Sequence, residues 1–190
     1  MVIVTCYPIL KNREIIDMKI LLTGTTGLSL AIKNHIKQQH SVTAVSKSTG
    51  HDILKIKKWG GDYVDQDAVI NCAYDCYGQL EVLEFFYNQW KNDSKKIIVN
   101  VGSIVSDYAQ TEKHLDFVYS NYRLQKQSLQ LAFQKMSRDT LCDIKLINPG
   151  PVDTAMVDHL KCKKLTVDHV ASRISWLLTQ PDVKRLDLWE

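Results

Sequence analysis

From Met18 onward the chain alternates between two patterns, and this alternation constrains its fold more than any other feature. "KILLT" (19–23), "SVTAV" (41–45), "AVINCA" (68–73), "KKIIVNVGS" (95–103), "CDIKLINPG" (142–150) and "KRLDLW" (184–189) are short runs that read as strands. Between them stand longer segments with helical spacing: "GLSLAIKNHIKQQ", "QLEVLEFFYNQW", "DFVYSNYRLQKQSLQLAFQKM" and "TVDHVASRISWLL". Short apolar runs bounded by glycine or proline suit buried parallel strands, and the intervening amphipathic segments suit helices that cover both sheet faces. The chain is therefore expected to be α/β, with one doubly wound parallel sheet.

Several details refine that expectation. "GHDI" (50–53) reads as a further short strand, followed by a condensed connection, "LKIKKWGGDYVD". Leu124, Leu129, Leu131 and Phe133 supply the apolar positions of the longest helix, and Thr166 is placed to cap the last one. Residues 1–17 precede the first complete strand and read as an extension, with 18–190 as one dinucleotide-binding domain. The length of 190 residues suits one domain with a full core.

Composition excludes several function classes. A net charge of +3, with Lys57-Lys58, Lys95-Lys96 and Lys163-Lys164 scattered, gives no footprint for nucleic acid or an anionic membrane. No apolar run reaches the roughly 20 residues of a membrane helix. "MVIVTCYPIL" lacks the basic start and small-residue cleavage site of a signal peptide. Cys6, Cys72, Cys76, Cys142 and Cys162 form no CxxC pair, and the six histidines form no HExxH. An odd set of dispersed cysteines predicts reduced thiols in a cytoplasmic setting, and no metal site is expected.

The first strand runs into "TGTTGLSLA", Thr23 to Ala31. Gly24 and Gly27 permit a tight turn and a close phosphate, and the following helix would offer free N–H groups to a pyrophosphate. The third glycine position of that pattern is Leu30, which is expected to push the helix slightly off the sheet.

At the other end of the chain's chemistry is a choice among three tyrosine–lysine pairs at i, i+4: Tyr7/Lys11, Tyr87/Lys91 and Tyr122/Lys126. Each would share a helix face. Spacing alone does not choose among them; Tyr122/Lys126 alone lies after the "NVGS" strand and before Pro149-Gly150, a placement that matters through the resemblance that follows.

These motifs, in this order, resemble the short-chain dehydrogenase/reductase family over Met18 to the C-terminus. The resemblance implies a Rossmann-like fold and an oxidoreductase moving hydride between a nicotinamide cofactor and a carbonyl or alcohol substrate. "TGTTGLS" is similar to the cofactor loop, implying contacts at Gly24, Thr26, Gly27 and Leu28. "GHDI" resembles the stretch that meets the adenine, here Asp52 and Ile53. "AVINCAY" is similar to the family's Asn-Asn-Ala-Gly stretch at Asn71 and Ala73, departing at Cys72 and Tyr74. "NPGPVDT" resembles the motif that closes over the nicotinamide, with Pro149, Val152 and Thr154. Ser103 corresponds to the catalytic serine, and Tyr122 and Lys126 to the tyrosine and lysine, which also reach the cofactor. A free phenol titrates at about 10; an adjacent ammonium lowers that and fits Tyr122 for proton exchange.

Two departures stand out. The family's relay asparagine, in the helix after "AVINCA", has no counterpart between Asn71 and Asn88. Ser103 and Tyr122 are also farther apart than is usual, so "DYAQTEKHLDF" is expected to form a loop over the site. At the end of "TAVSKST", Ser46 and Lys47 stand where an enzyme for NAD carries an acid, which favours NADP(H) over NAD(H). "AMVDHLKCKKL" is expected to cover the substrate. A homo-oligomer is compatible with this reading. The alternative is a catalytically weak protein of the same fold that binds dinucleotide as a sensor or interaction module.

Overall fold

The computed structural model describes residues 2–6, 17–107 and 117–189, with side chains placed for 17–107 and 120–189. Its strands are β1 (Val2–Cys6), β2 (Lys19–Thr23), β3 (Ser41–Val45), β4 (Ala68–Asn71), β5 (Ile97–Val101), β6 (Asp143–Pro149) and β7 (Val183–Leu188). The helices are α1 (Gly27–Ile36), α2 (Ile56–Trp59), α3 (Gly78–Trp90), α4 (Phe117–Met136) and α5 (Val167–Leu178). They form one sheet in the order β1-β7-β6-β5-β4-β2-β3. The six strands from β2 onward are mutually parallel, and β1 pairs antiparallel with β7. Within the stretch expected to be an extension, Val2–Cys6 thus contributes an edge strand to the sheet.

Strand periodicity divides the core in two. Ile20 and Leu22 pack with Ile32 and Ile36 of α1 and with Val170, Ile174 and Leu177 of α5. Leu21, one residue out of phase, packs on the opposite face with Val82, Leu83 and Phe86 of α3 and Leu129 and Phe133 of α4. Alternate residues of a strand face opposite sides, so a run apolar at every position is what a sheet covered on both faces demands. Each such side chain fully buried contributes about 1.5–3 kcal/mol. Thr166 caps α5 as expected, accepting from the His169 N–H at 3.2 Å, a contact of about 1 kcal/mol.

Three expectations are corrected. "GHDI" is not a strand. Asp52 instead caps a short 3-10 turn at Ile53–Lys55, its carboxylate accepting from the Leu54 N–H at 3.1 Å. A single aspartate bonding its own downstream backbone outcompetes ladder formation in so short a stretch. Leu30 does not face the sheet: it is 47% exposed, and Ser29 occupies the buried position beside Gly24. Leu124 and Leu131 are likewise exposed, leaving Leu129 and Phe133 as the core contacts of α4. Among the described residues no helix is long and apolar enough to cross a membrane.

The sheet order creates the feature that matters for function. Strand β2 leads through α1 to β3 on one side, while β4 pairs with β2 on the other. The chain changes direction across the sheet here, so a crevice opens beyond the C-terminal ends of β2 and β4, the usual ligand position in doubly wound sheets.

Candidate active site

The loop after β2 is built for close backbone approach. Gly24 has φ +103° and Gly27 φ +54°, conformations that side chains other than glycine rarely adopt. A Cβ on Gly24 would lie 2.2 Å from Ser29 Oγ, so the turn also packs too tightly for alanine. Thr26 precedes α1 in extended conformation, and Leu28 packs partly against the core. Thr23 ties this loop to the next one: its Oγ1 accepts from the N–H of Cys72 at 2.9 Å and of Ala73 at 3.1 Å. Opposite, a Cβ on Gly27 would sit 3.8 Å from Thr154 Cγ2. The segment expected to hold the pyrophosphate and the segment expected to close over the nicotinamide therefore face each other.

A cavity of about 190 Å³ opens at the ends of β3 and β4, lined by Ser46, Lys47, His51, Asp52, Ile53, Ala73, Tyr74 and Asp75. Five of these residues (Ser46, Lys47, Asp52, Ile53 and Ala73) are sequence-expected cofactor contacts. Asp52 reaches the cavity from its capping turn, not from a strand end. The Ser46 N–H donates to Thr49 Oγ1 at 2.9 Å, which closes the turn carrying Lys47. Pro149 ends β6, and the Gly150 N–H donates to the Leu188 carbonyl at 2.9 Å. A bridge between Val152 and Leu165 pins the base of the "AMVDHLKCKK" segment.

Ser103, Tyr122 and Lys126 lie outside that lining, at the ends of β5 and along α4. Lys126 is buried, and its Nζ donates to Gln79 Oε1 at 2.6 Å and to the Val101 carbonyl at 2.9 Å. Its ammonium stands 5.4 Å from the Tyr122 ring centroid and 5.5 Å from that of Tyr74. Burial lowers its pKa from 10.5 to about 8, while the Cys72 thiol opposes this. Ser103, two residues beyond Val101, is also buried and caps the turn Ile104–Ser106, accepting from the Val105 N–H at 3.4 Å. Ser106 Oγ donates to the Ser103 carbonyl at 2.7 Å, fixing that turn.

Two neighbours, Gln79 and Tyr74, escaped sequence reasoning. Gln79 lies in α3, the helix in which the family's asparagine is absent, and its side chain reaches Lys126 directly. Its Nε2 also donates to the carbonyls of Asn71 and Val101, each at 3.0 Å. Asn71 in turn donates to the Gln79 carbonyl at 2.7 Å and to Asn100 Oδ1 at 3.0 Å. Asn71 is thus turned into the protein and braces the site from beneath. Tyr74 meets Tyr122 edge-on, with ring centroids 4.9 Å apart, and donates its hydroxyl to Gln125 Oε1. Burial first, then the nearby Cys76, Asp75 and Tyr77, raises its pKa, so it stays a neutral phenol. It touches both Lys126 and the cavity, replacing a position that in the family is glycine. The one available signal was its adjacency to Asn71 and Ala73.

Of the competing pairs, Tyr87/Lys91 packs against the core, with Lys91 Nζ 6.0 Å from the Tyr87 ring centroid. Tyr7/Lys11 and residues 108–116 of the expected loop lie outside the described residues. Among the described residues no group of three or more His, Cys, Asp or Glu is placed to hold a metal.

No protein-family model matches the chain. No curated protein matches its sequence. Its architecture does find counterparts. A short-chain dehydrogenase from Burkholderia cenocepacia in complex with NADP superimposes with a TM-score of 0.73 at 16% identity, covering 94% of this chain and 90% of that one. The chain has the short-chain dehydrogenase fold. Two further structures of that fold agree: serine dehydrogenase from Escherichia coli, with a TM-score of 0.66 at 15% identity over 90% of this chain and 97% of its own, and 3-alpha-hydroxysteroid dehydrogenase from a Pseudomonas species complexed with NADH, with a TM-score of 0.64 at 16% identity over 89% and 95%. Within this fold, Gly24 stands beside Ala73, and the adjoining Tyr74 meets Tyr122 and Lys126 of α4.

Proposed function

We propose that this chain is an NADP(H)-dependent oxidoreductase acting on a small carbonyl/alcohol pair. The observation that carries the reading is the buried Lys126 ammonium set beneath the Tyr122 ring, on the helix packed against the end of the Ser103 strand. The positive-φ glycines at the start of α1 fit a pyrophosphate, and the cavity lined by Ser46, Lys47, Asp52, Ile53 and Ala73 fits the adenosine end. The nicotinamide cofactor, when bound, supplies the hydride.

The chain's residues supply the rest. Tyr122 gives its phenolic proton to the substrate oxygen during reduction and takes it back during oxidation. Lys126 favours the phenolate by charge and holds the nicotinamide ribose with a proton not already committed to Gln79 and Val101. Ser103 donates to the reacting oxygen. Tyr74 cannot substitute for Tyr122, because its pKa is raised and its hydroxyl is committed to Gln125. Ser46 and Lys47 supply the preference for a 2′-phosphate.

The test is to incubate the protein with NADPH and a panel of aldehydes and ketones, following cofactor oxidation. Turnover with at least one carbonyl is expected. Binding of NADPH without turnover on any of them would return the protein to the sensor reading. Lys47→Asp should shift the ratio of dissociation constants from NADPH toward NADH, through repulsion of the phosphate and new acceptors for ribose. An unchanged ratio would make Lys47 a surface residue only.

A further inference from the structure

Lys47 is not idle in this structure. It follows β3, and its Nζ stands 3.5 Å from Asp75 Oδ2 and 3.8 Å from Asp52 Oδ2. The two carboxylates differ in kind. Asp52 is 15% exposed in its side chain, accepts from the Leu54 N–H and lies 4.0 Å from Lys55, so it has other partners. Asp75 follows β4 and holds Lys47 across the crevice. Strands β3 and β4 flank β2, so this ion pair passes over the end of the strand that carries the glycine loop. Lys47, Asp52 and Asp75 all line the same cavity.

We propose that Asp75 is a specificity-determining residue of the cofactor site, holding Lys47 in a cross-crevice ion pair that a 2′-phosphate must break. This deepens the cofactor reading above and rests on it. An adenine nucleotide with a free 2′-hydroxyl leaves the pair intact, and can donate that hydroxyl to either carboxylate. A 2′-phosphorylated one draws Lys47 away from Asp75 and also meets the Asp75 charge. The wild-type protein therefore discriminates between the two cofactors less than Lys47 alone would dictate. Asp75 precedes a turn, its backbone carbonyl accepting from the Gly78 N–H at 2.8 Å, so the side chain can be changed without disturbing the turn.

The experiment uses fragments that need no substrate: adenosine 5′-phosphate and adenosine 2′,5′-bisphosphate, titrated calorimetrically into the full chain. Asp75→Asn keeps the shape and removes the charge. It should tighten the bisphosphate about three- to five-fold, the scale of one exposed ion pair, with the monophosphate nearly unchanged. In a Lys47→Met background the gain should shrink, because the two residues act as a pair. An equal gain in both backgrounds, or equal gains for both fragments, would overturn the proposal while leaving the nucleotide site standing. Failure of both fragments and of NADPH to bind any variant would overturn the cofactor reading, and the proposal with it.

Discussion

Lys126 is the residue on which the site turns, because it is a charge taken out of water and then surrounded by oriented acceptors. An unpaired buried ammonium is costly, and here Gln79 and the Val101 carbonyl offset that cost while leaving the pKa near 8. The consequence for chemistry is graded. Tyr122→Phe keeps the ring against Tyr74 and removes the exchanging proton, so turnover should fall by a factor on the order of 10² or more with NADPH affinity little altered. Tyr87→Phe, in the packing pair, should leave turnover nearly intact; a loss there with normal Tyr122→Phe would reverse the assignment. Gln79→Leu strips Lys126 of one acceptor and removes the carboxamide donor shared by the Asn71 and Val101 carbonyls, leaving Val101 its bond from Lys126. Its cost to stability should be about 1–3 kcal/mol, read as a lowered melting temperature, whereas Gln79→Glu should move the alkaline limb of NADPH binding to higher pH. A Gln79→Glu protein with an unmoved limb would show that Gln79 is only packing.

Elements place these residues through two devices, a strained loop and a shared sheet edge. The β2–α1 turn can be tight because Gly24 and Gly27 accept positive φ and because Ser29 fills the space a side chain at Gly24 would need. Gly24→Ala should therefore abolish the rise in melting temperature that NADPH produces, even in a protein that remains folded. A normal ligand-induced rise would show that the loop does not hold the phosphates. At the opposite edge, β1 pairs with β7 through Val2–Cys6, far from the crevice. A chain starting at Met18 keeps all six parallel strands and should keep the NADPH-induced rise, from a lower baseline because the β7 edge is uncovered. Loss of the rise in that protein would make β1 part of the cofactor-binding unit.

Over the whole molecule, the alkaline pH response sums opposing groups: burial lowers the pKa of Lys126, while burial raises those of Cys72 and Tyr74, whose contributions to stability fall as pH rises. The folded value of Lys126, near 8, lies below its unfolded value of 10.5, so at this group the unfolded chain binds more protons between these limits. Lys126 therefore penalises folding fully below about pH 8, and stability attributable to it grows as pH rises toward 10.5. On the proposed function cofactor binding runs the other way, since an ammonium holding the ribose would be lost as pH rises through about 8. Dissociation constants for NADPH should weaken across that range while the protein itself does not unfold. In Lys126→Met the weakening across pH 8 should disappear. A pH-independent dissociation constant in the wild type would remove Lys126 from the ribose site.

What the sequence determined by itself was everything that depends on neighbours along the chain. The alternation of apolar runs with amphipathic stretches specified strands and helices. Gly24 and Gly27 marked the turn between the first complete strand and its helix. The order of "NVGS", Tyr122, Lys126 and Pro149-Gly150 singled out, through the resemblance, the tyrosine–lysine pair that the proposed function uses. Local reading failed where a residue had two local options, as at "GHDI", where Asp52 prefers to cap a turn, and at Leu30, where the face of α1 turned toward the sheet is set by packing. Tertiary structure alone decided the partners that lie far apart in sequence. Gln79 meets Lys126 and Lys47 meets Asp75 only because strand order brings the ends of β3, β2, β4 and β5 together. A carboxamide on one helix and an ammonium on another carry no mark of each other in sequence. Their contact comes from the strand order and from the side of the sheet on which α3 and α4 pack.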